Sequence, residues 1–193
     1  MVIYKSFNNP KLVKLIKDGG IGVIPTDTIY GLICSANDKE AIDALYKIKG
    51  RDTDKPLIIL ISNIKELKNF GVLLSKIQFD FLKNNWPGKK SIIFNAELGE
   101  NDYLQRGSNT LTFRLPADNK LLSLLQKTGP LVAPSANPQG KSPAENIDDI
   151  MNYFIGQVDF VVDGGNITGV PSTLVSLVGD KPKVLRQGEE KII

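Results

Sequence analysis

The residues best placed to do chemistry are cations in awkward positions. Lys47, Lys49, Arg51 and Lys55 crowd into the nine residues KIKGRDTDK. One reading is a solvated helix end, where positive charge suits the negative pole of the helix dipole. The other is an anion site. Lys49 and Arg51 stand two apart across Gly50, a spacing that can turn both towards one ligand. Arginine offers a planar fork that fits phosphate, and lysine adds a point charge. Arg114, inside LTFRLP, interrupts an apolar strand pattern. A charge buried there is costly unless paired, so Arg114 either meets an aspartate such as Asp27 or grips a ligand's carboxylate. Arg186, in VLRQG, is a further cation at a strand end.

Hydroxyl-bearing loops accompany these cations. The apolar run Ile21 to Ile24 breaks at Pro25 into Thr26, Asp27 and Thr28, followed by Tyr30 and Gly31. Such a loop either caps its own backbone or presents hydroxyls to a ligand. Residues 135–142, SANPQGKS, end like a phosphate-binding P-loop. That loop needs a glycine where this chain has Ser135, and Pro138 removes an N–H donor. The stretch is therefore a turn, carrying Ser135, Asn137, Lys141 and Ser142 just after the apolar segment LVAP. Ligands of α/β sheets collect beyond strand ends of this kind.

Composition narrows the chemistry further. The chain has no histidine, which removes Ser-His-Asp hydrolysis, His-ligated zinc and imidazole acid–base catalysis. Its one cysteine, Cys34, can form neither an internal disulfide nor a Cys-rich metal site, and suits a reducing cytosol. Net charge is +3, which permits an anionic ligand without requiring nucleic acid. No apolar run approaches the ~18 residues of a membrane span, and the N-terminus lacks a signal-peptide core. A cytoplasmic location with no membrane partner is expected. Catalysis must rest on Lys, Arg, hydroxyls, carboxylates and a soluble ion.

The elements that position these residues alternate. Helices are predicted over 8–18 (Asn9 cap, Pro10 in the first turn), 38–49 (Asp38 cap, Gly50 beyond the end), 63–69, 74–85, 118–127 and 146–154. Strands are predicted over 20–24, 57–61, 92–95, 110–115, 131–134, 159–162, 173–178 and 183–185. Alternation through most of the chain argues α/β. The last third has strands without helices between them, so the sheet is expected to be mixed. At 193 residues, without linker or repeat, residues 1–193 read as one domain.

The motifs then fall into a known order: PTDTIYGL at 25–32, KGR followed by KPL at 49–57, WPG at 86–88, FRLP at 113–116, APSANPQGKSP at 133–143, PSTLVSL at 171–177 and LRQG at 185–188. Together they resemble the YrdC/TsaC family of threonylcarbamoyl-AMP synthases, across nearly the whole chain. The chain is similar to the family's short, single-domain form. The resemblance implies an α/β YrdC-like fold, a twisted mixed β-sheet flanked by helices, with a concave basic cavity.

It also implies a nucleotidyl transfer: L-threonine, bicarbonate and ATP, with Mg2+, give L-threonylcarbamoyladenylate and pyrophosphate. The adenylate would serve modification of adenosine 37 in tRNA through a separate threonylcarbamoyl transferase complex. Lys49, Arg51, Ser135 and Asn137 correspond to the family's catalytic set around the phosphates. Lys55, Thr110, Ser142, Pro143 and Arg186 would add to the ATP site alongside Arg51 and Ser135. Thr28, Tyr30, Arg114, Ala133 and Ser172 would form the threonine pocket.

The chain departs from the pattern in two places. Leu60 stands where many longer relatives carry histidine, and Lys89-Lys90-Ser91 follow WPG where relatives often have Pro, an apolar residue and Thr. Two other readings remain open. One is a double-stranded-RNA or tRNA-binding module without catalysis. The other is a carbamoyl-adenylate former like the YrdC-like part of hydrogenase-maturation carbamoyltransferases.

Overall fold

The computed structural model describes residues 1–97, 99 and 101–193. Local signals account for most of its helices. α1 (Pro10–Lys17) starts from Asn9, whose side chain accepts the Lys11 N–H, and α2 (Lys39–Lys49) starts from Asp38, which accepts the Ala41 N–H. Gly50 ends α2 at φ 61°, in the left-handed region that favours glycine. α3 (Lys76–Asn85) opens on a reciprocal capping box between Ser75 and Gln78. α4 (Asp102–Gln105), α5 (Asn119–Thr128) and α6 (Ile147–Phe154) follow. The helix expected over 63–69 is a 3-10 helix, Ile64–Phe70.

Ten strands form one sheet: β1 (Val2–Tyr4), β2 (Gly22–Ile24), β3 (Gly31–Ser35), β4 (Ile58–Leu60), β5 (Lys90–Asn95), β6 (Thr110–Arg114), β7 (Leu131–Val132), β8 (Phe160–Val162), β9 (Thr173–Ser176) and β10 (Lys183–Arg186). Their order is β1-β8-β2-β3-β7-β4-β6-β5-β9-β10. The sheet is mixed. β2 pairs antiparallel with β3 and parallel with β8, while β4 pairs parallel with β6 and antiparallel with β7. Two strands lack a local signal. β3 is a short unbroken apolar run without periodicity, fixed by β2 on one side and β7 on the other. β1 is an exposed edge strand whose only pairing, with β8, lies far along the chain.

Each face of the sheet carries its own core. On one, α1 and α5 bury Leu12, Ile16, Leu121, Leu124 and Leu125 against Ile24, Ile33 and Leu60. On the other, α2, the 3-10 helix, α3 and α6 pack over Val23, Leu32, Ile59, Ile92 and Phe113. Phe113 lies fully buried between Phe70 and Phe94, its ring centroid 5.3 and 6.4 Å from theirs. It sits one residue from Arg114, so its packing also fixes that cation's strand. Phe113→Ala is expected to lower unfolding free energy by about 3–5 kcal/mol, read by urea denaturation.

Candidate functional site

The loop that breaks the first buried strand is the connection of the β2–β3 hairpin. Thr26 knits it: its hydroxyl donates to the Ile29 carbonyl at 2.6 Å and accepts the Thr28 N–H at 3.2 Å. The backbone-capping reading is therefore correct for Thr26. Thr28 is different, because its hydroxyl accepts from Arg114 Nη1 at 3.1 Å. The loop also zips onto the segment after β7. Leu32 N–H donates to the Pro134 carbonyl, and Ala136 N–H to the Tyr30 carbonyl. Tyr30 is fully buried, and its phenol is spent on the backbone, donating to the Gly165 carbonyl and accepting the Gly164 N–H, both at 2.8 Å.

The cationic segment near 50 and the turn near 136 meet. Lys49 Nζ donates to the Ser135 carbonyl at 2.6 Å, the Asn137 carbonyl at 2.8 Å and Asn137 Oδ1 at 2.9 Å. Lys49 is only 3% exposed. Burial, with Arg51's charge adding to it, draws its pKa down from 10.5 to about 8. Asn137 closes the turn by donating to the Lys141 carbonyl at 2.6 Å. The 135–142 stretch is a self-tied turn braced by a lysine.

In front of it opens a cleft of about 140 Å³. Arg51, Arg114 and Arg186 line it, with Thr28, Ser135 and Ser172, and among the described residues its lining includes no carboxylate. Arg51 is oriented by donating to the Lys55 and Pro56 carbonyls, both at 3.2 Å. Arg114 meets the aspartate its sequence context called for: Nη2 lies 3.1 Å from Asp27 Oδ1, and the residue also lines the cleft. Burial raises the Asp27 pKa against the pull of Arg114. It also lowers that of Arg114. Arg186 donates through Nε and Nη2 to the Ser172 carbonyl, at 3.2 and 2.9 Å.

Of the residues singled out in the sequence, Thr28, Tyr30, Arg51, Arg114, Ala133, Ser135, Ser172 and Arg186 line this cleft. Lys49 and Asn137 stand behind it, bonded to each other. Lys55, Thr110, Ser142 and Pro143 do not line it. Lys55 pairs with Asp52 at 2.5 Å on the surface, and Thr110 sits in β6 opposite Asn95. Leu60, the position where longer relatives carry histidine, is wholly buried in the α1–α5 core and does not face the cleft. The 2.7 Å hydroxyl contact between Ser91 and Ser172 escapes sequence reasoning, whereas the bracing by Thr26 and the counter-ion role of Asp27 were among its alternatives. For Asp27 the signal was present: a carboxylate next to a loop hydroxyl, with one strand-buried arginine needing a partner.

The donor set does not fit a protein-held Mg2+. Among the described residues no three His, Cys, Asp or Glu side chains cluster as metal ligands. Asp27, the carboxylate beside the cleft arginines, is committed to Arg114. Mg2+ sites use one or two carboxylates plus substrate phosphates, and among the described residues the lining offers no carboxylate.

The Sua5/YciO/YrdC family model, described as telomere recombination, matches residues 14–188. The threonylcarbamoyl-AMP synthase of Bacillus subtilis (strain 168) is 31% identical over 189 residues, covering 95% of this chain and 55% of that protein. That of Pyrococcus abyssi is 31% identical over 175 residues, covering 90% and 52%. The chain thus spans about half the length of these two relatives. It spans 85% of the synthase of Cellvibrio japonicus, at 31% identity over 162 residues and 81% of this chain. The crystal structure of P. abyssi Sua5 complexed with L-threonine superposes with a TM-score of 0.87 at 28% identity, over 97% of this chain and 58% of that one. Escherichia coli YciO, at 24% identity, shares the fold with a TM-score of 0.85 over 99% of this chain and 96% of that one. Among the described residues no helix is long and apolar enough to cross a membrane. By its sequence from Lys14 to Gly188, and by its sheet, the chain belongs to the Sua5/YciO/YrdC family.

Proposed function

We propose that the cleft forms L-threonylcarbamoyladenylate and pyrophosphate from L-threonine, bicarbonate and ATP. The observation that carries this reading is convergence: three arginines and five hydroxyl-bearing residues, from segments spread between residues 26 and 186, line one small space. The P. abyssi Sua5 complex with L-threonine, on the same fold, supports it. So do the names of the curated relatives. The cleft's volume of about 140 Å³ is well below the roughly 300–1,000 Å³ of pockets that enclose larger ligands. It suits an amino acid, with the nucleotide entering from the open side.

In this reading Arg114, held by Asp27, takes the carboxylate of threonine, and the hydroxyls of Thr28 and Ser172 border its side chain. The threonine amine first attacks the carbon of bicarbonate, and water leaves, to give N-carboxythreonine. A carbamate oxygen then attacks the α-phosphorus of ATP, and pyrophosphate leaves. No protein nucleophile is needed, which accords with a chain lacking histidine. Arg51 and Arg186 stabilise charge on the phosphate oxygens. Lys49 acts as a brace that holds the Ser135–Asn137 turn towards the nucleotide. Lys55, Thr110, Ser142 and Pro143 contribute only where the nucleotide extends past the rim. Mg2+ would travel with the phosphates. The adenylate would pass in the cytoplasm to a transferase complex acting on tRNA. No feature of the cleft favours RNA binding without catalysis.

Mass spectrometry of the product from ATP, bicarbonate and threonine, with serine as control, tests the reaction. Arg51→Ala is expected to lose most pyrophosphate release while remaining folded, a barrier increase of about 2.7–4 kcal/mol by analogy with a lost oxyanion donor. Retention of wild-type turnover would refute the role. Ser172→Ala is expected to raise the KM for threonine with ATP affinity nearly intact, since its hydroxyl lines the cleft but its carbonyl, which holds Arg186, is kept. Lys49 gives a pH test. Its folded pKa near 8 lies below the ordinary 10.5, so between these values the unfolded chain binds more protons and stability from this group rises with pH. The stability of wild type relative to Lys49→Met, from urea midpoints, is expected to grow as pH climbs through that window.

A further inference from the structure

Two motifs, WPG at 86–88 and LRQG at 185–188, have no ligand role apart from Arg186, and the structure brings them together. Trp86 Nε1 donates to the Lys90 carbonyl at 2.7 Å. Lys90, its side chain only 8% exposed, places Nζ 3.0 Å from Glu190 Oε2. The same carboxylate oxygen accepts the Lys89 N–H at 3.0 Å. The Glu190 carbonyl accepts from the Thr173 hydroxyl and, at 3.1 Å, from Gln187 Nε2. Gly188 N–H donates to Thr173 Oγ1 at 3.0 Å. Its backbone runs so close to 171–173 that a Cβ would lie 2.4 Å from the Pro171 carbonyl oxygen and 2.5 Å from the Thr173 nitrogen. The far end is tied by Asn85, whose amide bonds the backbone of Ile193 at both N and O. The tethers through Thr173 and Gly188 therefore fall beside Ser172 and Arg186, which line the cleft.

We propose that the ion pair between buried Lys90 and half-buried Glu190 makes residues 187–193 a positioning element of the active cleft, acting through Arg186. The proposal rests on the activity given above. Arg186 is long and lies on an exposed edge strand, so alone it would lose considerable side-chain entropy on gripping a phosphate. The clamped tail and the Ser172 carbonyl hold it in place before ATP arrives. Loss of Glu190 leaves the buried Lys90 charge without its partner and releases the tail. ATP then binds a mobile arginine.

The test measures pyrophosphate release and backbone hydrogen exchange over 186–193 in wild type, Glu190→Gln, Gly188→Ala, Arg186→Ala and Arg186→Ala/Glu190→Gln. Gly188→Ala displaces the tail without touching the ion pair, and serves if Glu190→Gln does not fold. Both are expected to speed exchange of the tail amides and raise the KM for ATP about tenfold, roughly 1.4 kcal/mol, with kcat changed much less. In the Arg186→Ala background, Glu190→Gln is expected to add nothing, because the two act as one unit. A freed tail with an unchanged KM for ATP, or effects that multiply in the double variant, overturns the proposal. If wild type releases no pyrophosphate, the activity reading fails instead. Calorimetric titration with ATP then decides the tail's role by the same criteria.

Discussion

Lys49 spends its ammonium on two carbonyls and an amide oxygen of a single turn, and the Ser135 wall of the cleft depends on that attachment. The 135–137 segment has a proline just beyond it and is held to the hairpin by the Ser135–Gly31 bridge and the Ala136 N–H bond to Tyr30. Lys49 sets the directions of its outward carbonyls and of the Asn137 amide oxygen. A buried ammonium satisfied by several oxygens fixes them at once, because moving any one would leave charge or a carbonyl unpaired in a water-poor place. The cost appears in the lowered pKa. The gain is a rigid shelf behind the arginines.

The arginines depend on the same logic of paired polar groups anchored in apolar surroundings. Arg114 rides on β6, whose neighbour Phe113 is locked among aromatic rings. Asp27 comes from the hairpin loop tied down by Thr26. Each cation of the cleft thus takes its direction from a backbone carbonyl or a carboxylate, and each partner is held by packing or a short-range turn. This preorganisation lets a site without histidine or a protein nucleophile stabilise charge, since fixed dipoles and cations need not reorganise during reaction.

The sequence was legible wherever a local rule applied. Asn9 and Asp38 announced helix starts, and Gly50 announced a stop. Motif order brought out the cleft residues from Thr28 to Arg186, and the oddity of a strand-buried arginine pointed to Asp27. What escaped was set by long-range pairing. β3 has no periodicity to betray it, and β1 gains strand geometry only from β8. Lys49 looked like a cation for phosphate because burial and carbonyl partners cannot be read from a spacing. Lys90 and Glu190 are a hundred residues apart in an unremarkable surface pattern, and nothing short of coordinates joins them.

The placement of β8 between β1 and β2 has a consequence for how the molecule comes into being. The first strand and the hairpin that begins the cleft cannot take their final neighbours until residues 160–162 have left the ribosome. Ser172 and Arg186 emerge later still. Assembly is therefore dominated by distant contacts, the kind that slow folding. Thr28, Arg51, Arg114 and Ser135 all precede Ser172 and Arg186, on strands and loops that pair with one another, so the cleft is completed from its Ser172–Arg186 side.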